Sequence, residues 1–268
     1  MRLLVPTWIF LTVYYGIIYG GYYIVTSKIT IDIKQVIQTY LLQTGWYVWI
    51  IRVFLFVAIC SPFITNFYQR ITASQALLVS LMGVLSVEIT RNFSDNIYFF
   101  YFCVSYPYVF VFGLGLKVLQ MNQRQINYSL LFWLTVWLLY SSYLFVSNGS
   151  FVLSRTQKYP PRLLYVSYAL ACCYTFWSIR TKLVVLLTKF KMKNIFVFIG
   201  SHTIWIYFWH IPILYFLGLL SIRPIYIFLV IIIVSPLMAY LQERLIMKIC
   251  KNIDNHSFKI VLNKIFIG

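Results

Sequence analysis

The stretch from Phe198 to Ile213, FIGSHTIWIYFWHIPI, places groups that handle protons and hydrogen bonds inside an otherwise apolar run. Four of its residues lie three or four positions apart and would share one face of a continuous helix: Gly200, Thr203, Tyr207 and His210. His202 would point about 100° away. Imidazole exchanges protons near neutral pH, and hydroxyls stabilise developing negative charge. A membrane histidine more often packs helices through a hydrogen bond than catalyses, so the pattern alone favours a packing role, and acid–base chemistry is the alternative.

Pro212 adds a second signal in the same stretch. Proline has no backbone N–H, so the carbonyl of Phe208 loses its usual helical donor and needs another partner inside the membrane. If Ile195 to Leu220 is one helix, His210 lies about 22 Å from the cytoplasmic end, since each residue rises about 1.5 Å. We therefore expect His210 in the outer part of the bilayer core.

Two other ionisable residues fall within apolar segments, where each costs a few kcal/mol or more. Arg52 lies in WYVWIIRVFLFVAIC, and Glu88 is near the outer end of its segment. Arg52 has a depth similar to that expected for His210, so the two residues predict a polar layer lining a substrate or ion path. Outward snorkelling of Arg52, or a structural Arg52–Glu88 pair, are the alternatives.

The elements that carry these residues are membrane spans. The chain has 268 residues, 62% hydrophobic and 20% aromatic, with a mean hydropathy of +0.83. A span needs roughly 20 apolar residues. We predict an all-α, polytopic membrane helix bundle of about eight spans, near Leu4 to Val25, Gly45 to Phe67, Ile71 to Ile89, Ile97 to Leu116, Tyr128 to Val146, Leu163 to Ile179, Ile195 to Leu220 and Ile225 to Met247.

The net charge of +17 follows membrane topology. Lysines and arginines cluster at span ends, and the side that carries most of them is cytoplasmic by the positive-inside rule. Both termini are therefore predicted in the cytoplasm, and no nucleic-acid partner is expected. The five cysteines lack metal or disulfide spacing, and the sequence has no nucleotide-binding glycine loop. No A-x-A-like site follows the first apolar stretch, so we expect no cleavable signal peptide.

One membrane domain is predicted over residues 1–250, followed by a cytoplasmic tail over residues 251–268. The tail mixes lysines with Ile, Val and Phe at loosely helical spacing. It is expected either to lie on the inner membrane surface or to be solvated.

The segment GSHTIWIYFWHIP resembles the last motif of the acyltransferase 3 family, roughly G-x-x-S-x-x-I-Y-L-x-H-x-P, whose members are integral-membrane enzymes that acylate hydroxyl groups. Thr203 stands where serine is usual, and five other positions match: Gly200, Ile206, Tyr207, His210 and Pro212. MRLLVPTWIF is similar to the start of the family's third helix. GWYVWIIRVFLFVAICSPFI is similar to its helix ending in Ser-Pro.

The resemblance implies that the chain lacks the family's first two helices. The arginine and histidine with the best-supported catalytic role in that family lie there, so no position in this sequence inherits those roles. A misassigned start, a split or decayed gene and a genuine short member all fit this pattern.

The resemblance implies transfer of an acyl group, usually acetyl from acetyl-CoA or another acyl-CoA, to a hydroxyl of a saccharide or lipid-linked sugar, without a metal. His210 and Tyr207 are the candidate catalytic residues, and Arg52, Thr203 and Glu88 the candidate substrate-binding ones. A bacterial plasma membrane and cell-envelope polysaccharide modification are expected. A transporter or flippase for a lipid-linked saccharide and a non-catalytic membrane remnant are the alternatives.

Overall fold

A computed structural model describes residues 3–26, 32–43, 48–93, 96–220 and 222–266. The described residues form α-helices and two short 3-10 helices, with no β-strand among them. The α-helices are α1 (Leu4–Thr26), α2 (Ile33–Tyr40), α3 (Trp49–Arg70), α4 (Ala73–Thr90), α5 (Ile97–Ser105), α6 (Pro107–Val118), α7 (Gln123–Asn148), α8 (Leu163–Ser178), α9 (Arg180–Lys189), α10 (Lys193–Ser201), α11 (Thr203–Leu219), α12 (Pro224–Lys251) and α13 (His256–Phe266).

The prediction of an all-α membrane protein is confirmed. Within the described residues, five helical segments are long and apolar enough to cross a membrane, namely α3, α4, α5 with α6, α7 and α12. Two bent pairs, α8 with α9 and α10 with α11, raise the number to seven if each pair is one span. A shorter apolar helix covers Leu4–Gly20. The predicted total of eight spans stays a prediction.

The helices belong to two compact units. Unit 1 combines Met1–Ile51 with Leu187–Gly268, and unit 2 is Arg52–Leu186. The sequence stretch from Phe198 to Ile213 lies entirely in unit 1, so unit 1 alone positions the candidate site. Arg52 and Glu88 belong to unit 2.

Unit 2 is built on close helix pairs, α7 against α8 and α4 against α6. Its core includes Tyr68, Val84 and Trp133, each at most 1% exposed. Gly113 of α6 lies against the Tyr68 ring so closely that an added Cβ would overlap it. A small residue at this point lets α6 approach α3, as is common between membrane helices.

Unit 1 is centred on α11, which packs along α12 and contacts α1, and whose Trp205 contacts α13. Phe208 and Ile211 of α11 are at most 2% exposed, and Phe10 of α1 stacks on the Phe208 ring with centroids 4.7 Å apart. The tail helix α13 packs against α12 and α1. Its end is fixed by the indole N–H of Trp205, which donates to the carbonyl of Ile265 over 3.1 Å.

The expectation of one continuous helix from Ile195 to Leu220 is wrong. The chain bends by 82° between α10 and α11, and His202 at the bend has non-helical backbone angles. Nδ1 of the His202 imidazole lies 3.0 Å from the carbonyl oxygen of Phe198, at the end of α10. A side chain that bonds the preceding turn in this way competes with continuation of the helix.

Candidate active site

A cavity of about 390 Å³ lies between α11 and α12, and we call it the His210 pocket. Thr203, Tyr207 and His210 line it from α11, and Ile199 contributes from the end of α10. The facing wall consists of Ile231, Ile232, Ser235 and Pro236 of α12. The structure thus brings the three predicted residues of α11 together on one pocket.

Gly200 is the exception to the predicted shared face. It lies in α10, before the 82° bend, and does not line the His210 pocket. The estimate of 22 Å for the depth of His210 assumed one continuous helix and fails for the same reason, because only the seven helical steps from Thr203 to His210 rise along α11. They correspond to about 10 Å of helix.

The imidazole of His210 is half-buried in this pocket. Its Nδ1 lies on the carbonyl oxygen of Tyr207, one turn earlier in α11. A carbonyl only accepts, so Nδ1 carries the proton in the neutral ring and Nε2 keeps its lone pair. The Tyr207 and His210 rings also lie 4.8 Å apart between centroids. The helix therefore orients His210 with one nitrogen ready to accept a proton.

Ser235 is a polar member of the pocket that sequence reasoning missed. It is 1% exposed, and its hydroxyl has no hydrogen-bond partner among the described residues. The next residue, Pro236, cannot donate to the carbonyl of Ile232, which also lines the pocket. The sequence contains a signal for this residue, because a serine followed by a proline inside an apolar span resembles the pattern of histidine and proline in α11.

Glu88 lies at the end of α4, as predicted, and its partner is Arg162 at the start of α8. Nε of Arg162 donates to the two carboxylate oxygens over 3.0 and 2.8 Å, and Nη2 lies 2.7 Å from Oε2. The backbone N–H of Leu163 lies 3.4 Å from Oε1, and the Tyr140 hydroxyl 3.4 Å from Nη2. The structure thus gives Glu88 an ion pair inside unit 2.

This pair sets the charge state of Arg162. Burial acts to lower the pKa of the guanidinium, but the hydrogen bonds and negative charge of Glu88 outweigh it and raise the pKa above its ordinary value. Arg162 is therefore positively charged at every physiological pH. Sequence reasoning missed this partner because Arg162 is the last residue of the irregular segment YPPR and lies 74 residues after Glu88.

Arg52 of α3 is partly buried, and its guanidinium lies over the Tyr101 ring of α5, 3.8 Å from the centroid. A cation in this position is stabilised by the ring's quadrupole. Tyr101 thus supports the charge of Arg52 within unit 2. The predicted polar layer shared by Arg52 and His210 joins two units and stays a prediction.

His202, the second histidine of the stretch, is 7% exposed and stacks on the Phe198 ring at 4.2 Å between centroids. Ser201 Oγ lies 2.9 Å from its Nδ1, and Glu243 Oε2 lies 4.0 Å from its Nε2. Every one of these groups lies at the junction of α10, α11 and α12. The contacts explain His202 as a residue that fixes the bend.

The comparison with known families decides the assignment. A family profile described as "Acyltransferase domain", that of the acyltransferase 3 family, matches residues 1–241. The chain belongs to the acyltransferase 3 family. No curated protein and no solved structure matches it significantly.

Membership makes the chain an integral-membrane acyltransferase in general terms, in agreement with its apolar helices. The match extends over α1 to most of α12 and so includes both walls of the His210 pocket. The transferase class predicted from the sequence is confirmed at this level.

Proposed function

We propose that this acyltransferase 3 protein transfers an acyl group, acetyl in the first instance, from an acyl-CoA to a hydroxyl of a cell-surface saccharide or lipid-linked sugar, with His210 as the general base. The observation that carries the proposal is the His210 pocket, which is lined by an oriented imidazole and by the hydroxyl-bearing side chains of Thr203 and Tyr207. A bacterial plasma membrane with both termini in the cytoplasm is the proposed setting.

The reaction needs a base for the acceptor hydroxyl. Nε2 of His210 takes the hydroxyl proton while the acceptor oxygen attacks the thioester carbonyl carbon. The tetrahedral intermediate then collapses, the carbon–sulfur bond breaks, and the proton held by His210 passes to the departing CoA thiolate. His210 returns to its neutral form, so the step is balanced without a metal.

Negative charge on the thioester oxygen needs hydrogen-bond donors that are already in place. Tyr207 and Thr203 of α11 line the pocket and are the proposed donors. Removing one such donor from an enzyme lowers turnover by about 100-fold to 1,000-fold when the donor is essential. The apolar walls, Ile206 and Ile231 among them, suit a short acyl chain.

The charged substrate groups have separate candidates. Arg52 is proposed to bind an anionic part of donor or acceptor, since a guanidinium pairs with phosphate or carboxylate in two-pronged geometry. The basic segment Lys182 to Lys193 is proposed to attract the CoA phosphates. Glu88 is proposed to support substrate binding indirectly, because its carboxylate is paired with Arg162.

The test uses the full chain in membrane vesicles supplied with labelled acetyl-CoA. Label is followed into the polysaccharide and lipid-linked saccharide fractions. We expect transfer by the unchanged protein and a loss of about 100-fold or more in His210→Ala, which is the range for a removed acid–base group.

His256→Ala is the matched control, since His256 is exposed at the start of α13 and lies outside the His210 pocket. The variants must elute as folded monodisperse protein. Equal transfer by His210→Ala and the unchanged chain would refute the role of His210. Absence of transfer by the folded, unchanged chain would refute the proposed activity.

A flippase for a lipid-linked saccharide is the second candidate, favoured by the 82° break between α10 and α11. Discontinuous membrane helices commonly bind substrate in transporters. Vesicles loaded with an unmodified lipid-linked saccharide separate the two functions, because a flippase moves it across the bilayer without acetyl-CoA.

A further inference from the structure

A second cavity in unit 1 lies on the opposite face of α11 from the His210 pocket, and we call it the Trp209 cavity. It has a volume of about 440 Å³, within the usual range for ligand sites of about 300–1,000 Å³. Four helices wall it: α1, α11, α12 and α13. Nothing in the proposed transfer chemistry uses this space.

The walls offer hydrocarbon to a ligand. They are formed mainly by aliphatic and aromatic side chains, such as Val13, Ile17, Phe216, Val234 and Met238. A cavity of this kind does not hold water well and favours an apolar occupant.

The polar groups at its border are already engaged. The indole N–H of Trp209 donates to Oε1 of Gln242 over 2.9 Å, and Nε2 of Gln242 donates to the carbonyl of Phe266 over 3.2 Å. The indole of Trp205, whose N–H binds α13, stacks on the Phe266 ring at 5.4 Å between centroids. These contacts close one end of the cavity and engage both indole N–H groups, while Gln242 keeps one further N–H.

The cavity is long in the direction of the helices. Trp205 and Phe216 both line it and are eleven residues apart on α11, which corresponds to about 17 Å. That length is roughly half of the ~30 Å hydrocarbon core, or the depth of one leaflet. Val13 and Ile17 on the α1 side are 54% and 56% exposed, so the cavity has a lateral opening.

We infer that the Trp209 cavity binds one hydrocarbon tail of an amphiphile that enters sideways from the bilayer. The apolar walls, the leaflet-like length and the opening beside α1 each match a tail. The cavity and the His210 pocket share α11 as their common wall, so an occupied cavity would support the helix that carries His210.

The experiment uses the full chain in vesicles of phosphatidylglycerol containing a small fraction of the same lipid with a photoreactive diazirine near its tail end. After irradiation, labelled peptides are quantified by mass spectrometry. We expect label on α11 and α12 residues that line the cavity, Phe216 and Met238 among them.

Two filling variants and one matched control test the site. Val234→Trp and Ile17→Trp place an indole in the cavity from two different helices, α12 and α1, and should each lower cavity labelling at least five-fold. Ile233→Trp is the control, because Ile233 is the neighbour of Val234, is 67% exposed and does not line the cavity. It should label like the unchanged chain.

Labelling that is equal in the filling variants and the control would overturn the inference, as would label confined to outward-facing residues such as Ile233. Having two filling variants on different helices keeps the test decisive if one of them fails to fold. The result does not depend on the acyl-transfer assay, since the labelling needs no acceptor and no acyl-CoA.

Discussion

Ser235 and His210 show what a polar residue inside a membrane helix contributes to this protein. Ser235 stands directly before Pro236, and His210 stands two positions before Pro212. Each proline leaves the backbone carbonyl four residues earlier without its helical donor. His210 uses the carbonyl of Tyr207 to fix its ring, whereas the Ser235 hydroxyl has no partner among the described residues. An unsatisfied buried hydroxyl costs free energy, so Ser235 lowers the stability of this wall of the pocket unless another group satisfies it.

The Glu88–Arg162 pair can be tested by removing its negative member. The two side chains are 18% and 17% exposed, so Glu88→Gln leaves a largely buried, uncompensated guanidinium. We expect the free energy of unfolding to fall by about 3 kcal/mol. Thermal unfolding in detergent measures this as a drop of several degrees in Tm.

Arg155→Gln is the control for this prediction, since Arg155 is an exposed arginine of the same connection and should change Tm little. The double variant Glu88→Gln, Arg162→Gln should recover part of the loss, because the buried charge is gone. The raised pKa of Arg162 keeps its contribution fully present below the ordinary pKa of arginine, so the loss should be equal at pH 7 and pH 9. An unchanged Tm in Glu88→Gln would contradict the pairing.

Among the helices, α10 and α11 carry the candidate site, and their geometry is what the sequence pattern predicted least accurately. Hydropathy averaged over the segment predicts a single span through Ile195 to Leu220, since apolar residues on both sides outweigh the short polar stretch from Gly200 to Thr203 at the bend. The bend depends on contacts of His202 with Phe198 and on the neighbouring Glu243, which is 41 residues away in the chain. Periodicity within one segment carries no information about such a contact.

In unit 2, α6 packs closely against Tyr68 of α3, and a substitution in α6 tests how much this packing stabilises the protein. An alanine at Gly113 would overlap the Tyr68 ring, and that ring is held by a 2.7 Å hydrogen bond between its hydroxyl and Ser80 Oγ. Since Tyr68 is 1% exposed, it has no room to turn away. Gly113→Ala should therefore destabilise the protein by about 1–3 kcal/mol, as overpacked cores do.

Gly115→Ala is the matched control in the same helix, because an added Cβ there meets no atom within 4 Å among the described residues. It should be neutral, or stabilising by up to about 1 kcal/mol through the helix preference of alanine. Equal melting temperatures for the two variants would show that Tyr68 does not fix the spacing of α6.

For the chain as a whole, composition and charge were enough to predict an all-α membrane protein, and the motif in α11 was enough to predict its family. The Glu88–Arg162 pair brings the end of α4 and the start of α8 together, and hydrogen bonds of Gln123 with Ser178 bring together the start of α7 and the end of α8. Both contacts agree with the predicted alternation of loops. Which partners meet depends on three-dimensional packing, which a hydropathy pattern does not encode.

The membrane topology depends on whether the bent pair α10–α11 crosses the bilayer. If this pair and the bent pair α8–α9 each cross the bilayer once and α1 is a span, the chain has eight crossings and its C-terminus is cytoplasmic, as the distribution of lysine and arginine requires. If the 82° bend makes the pair return to its starting side, α12 runs in the other direction and Gly268 is external.

Fusions distinguish these arrangements in bacterial cells, since green fluorescent protein fluoresces when cytoplasmic and alkaline phosphatase is active when exported. Fusions after Gln120 and Asn148 serve as cytoplasmic and external references. We expect phosphatase activity after Ile222 and fluorescence after Gly268, because fourteen of the twenty-one lysines and arginines assigned to loops and ends then lie inside. Fluorescence after Ile222 with phosphatase activity after Gly268 would establish a re-entrant pair, with the bend at His202 at the tip of the loop inside the membrane.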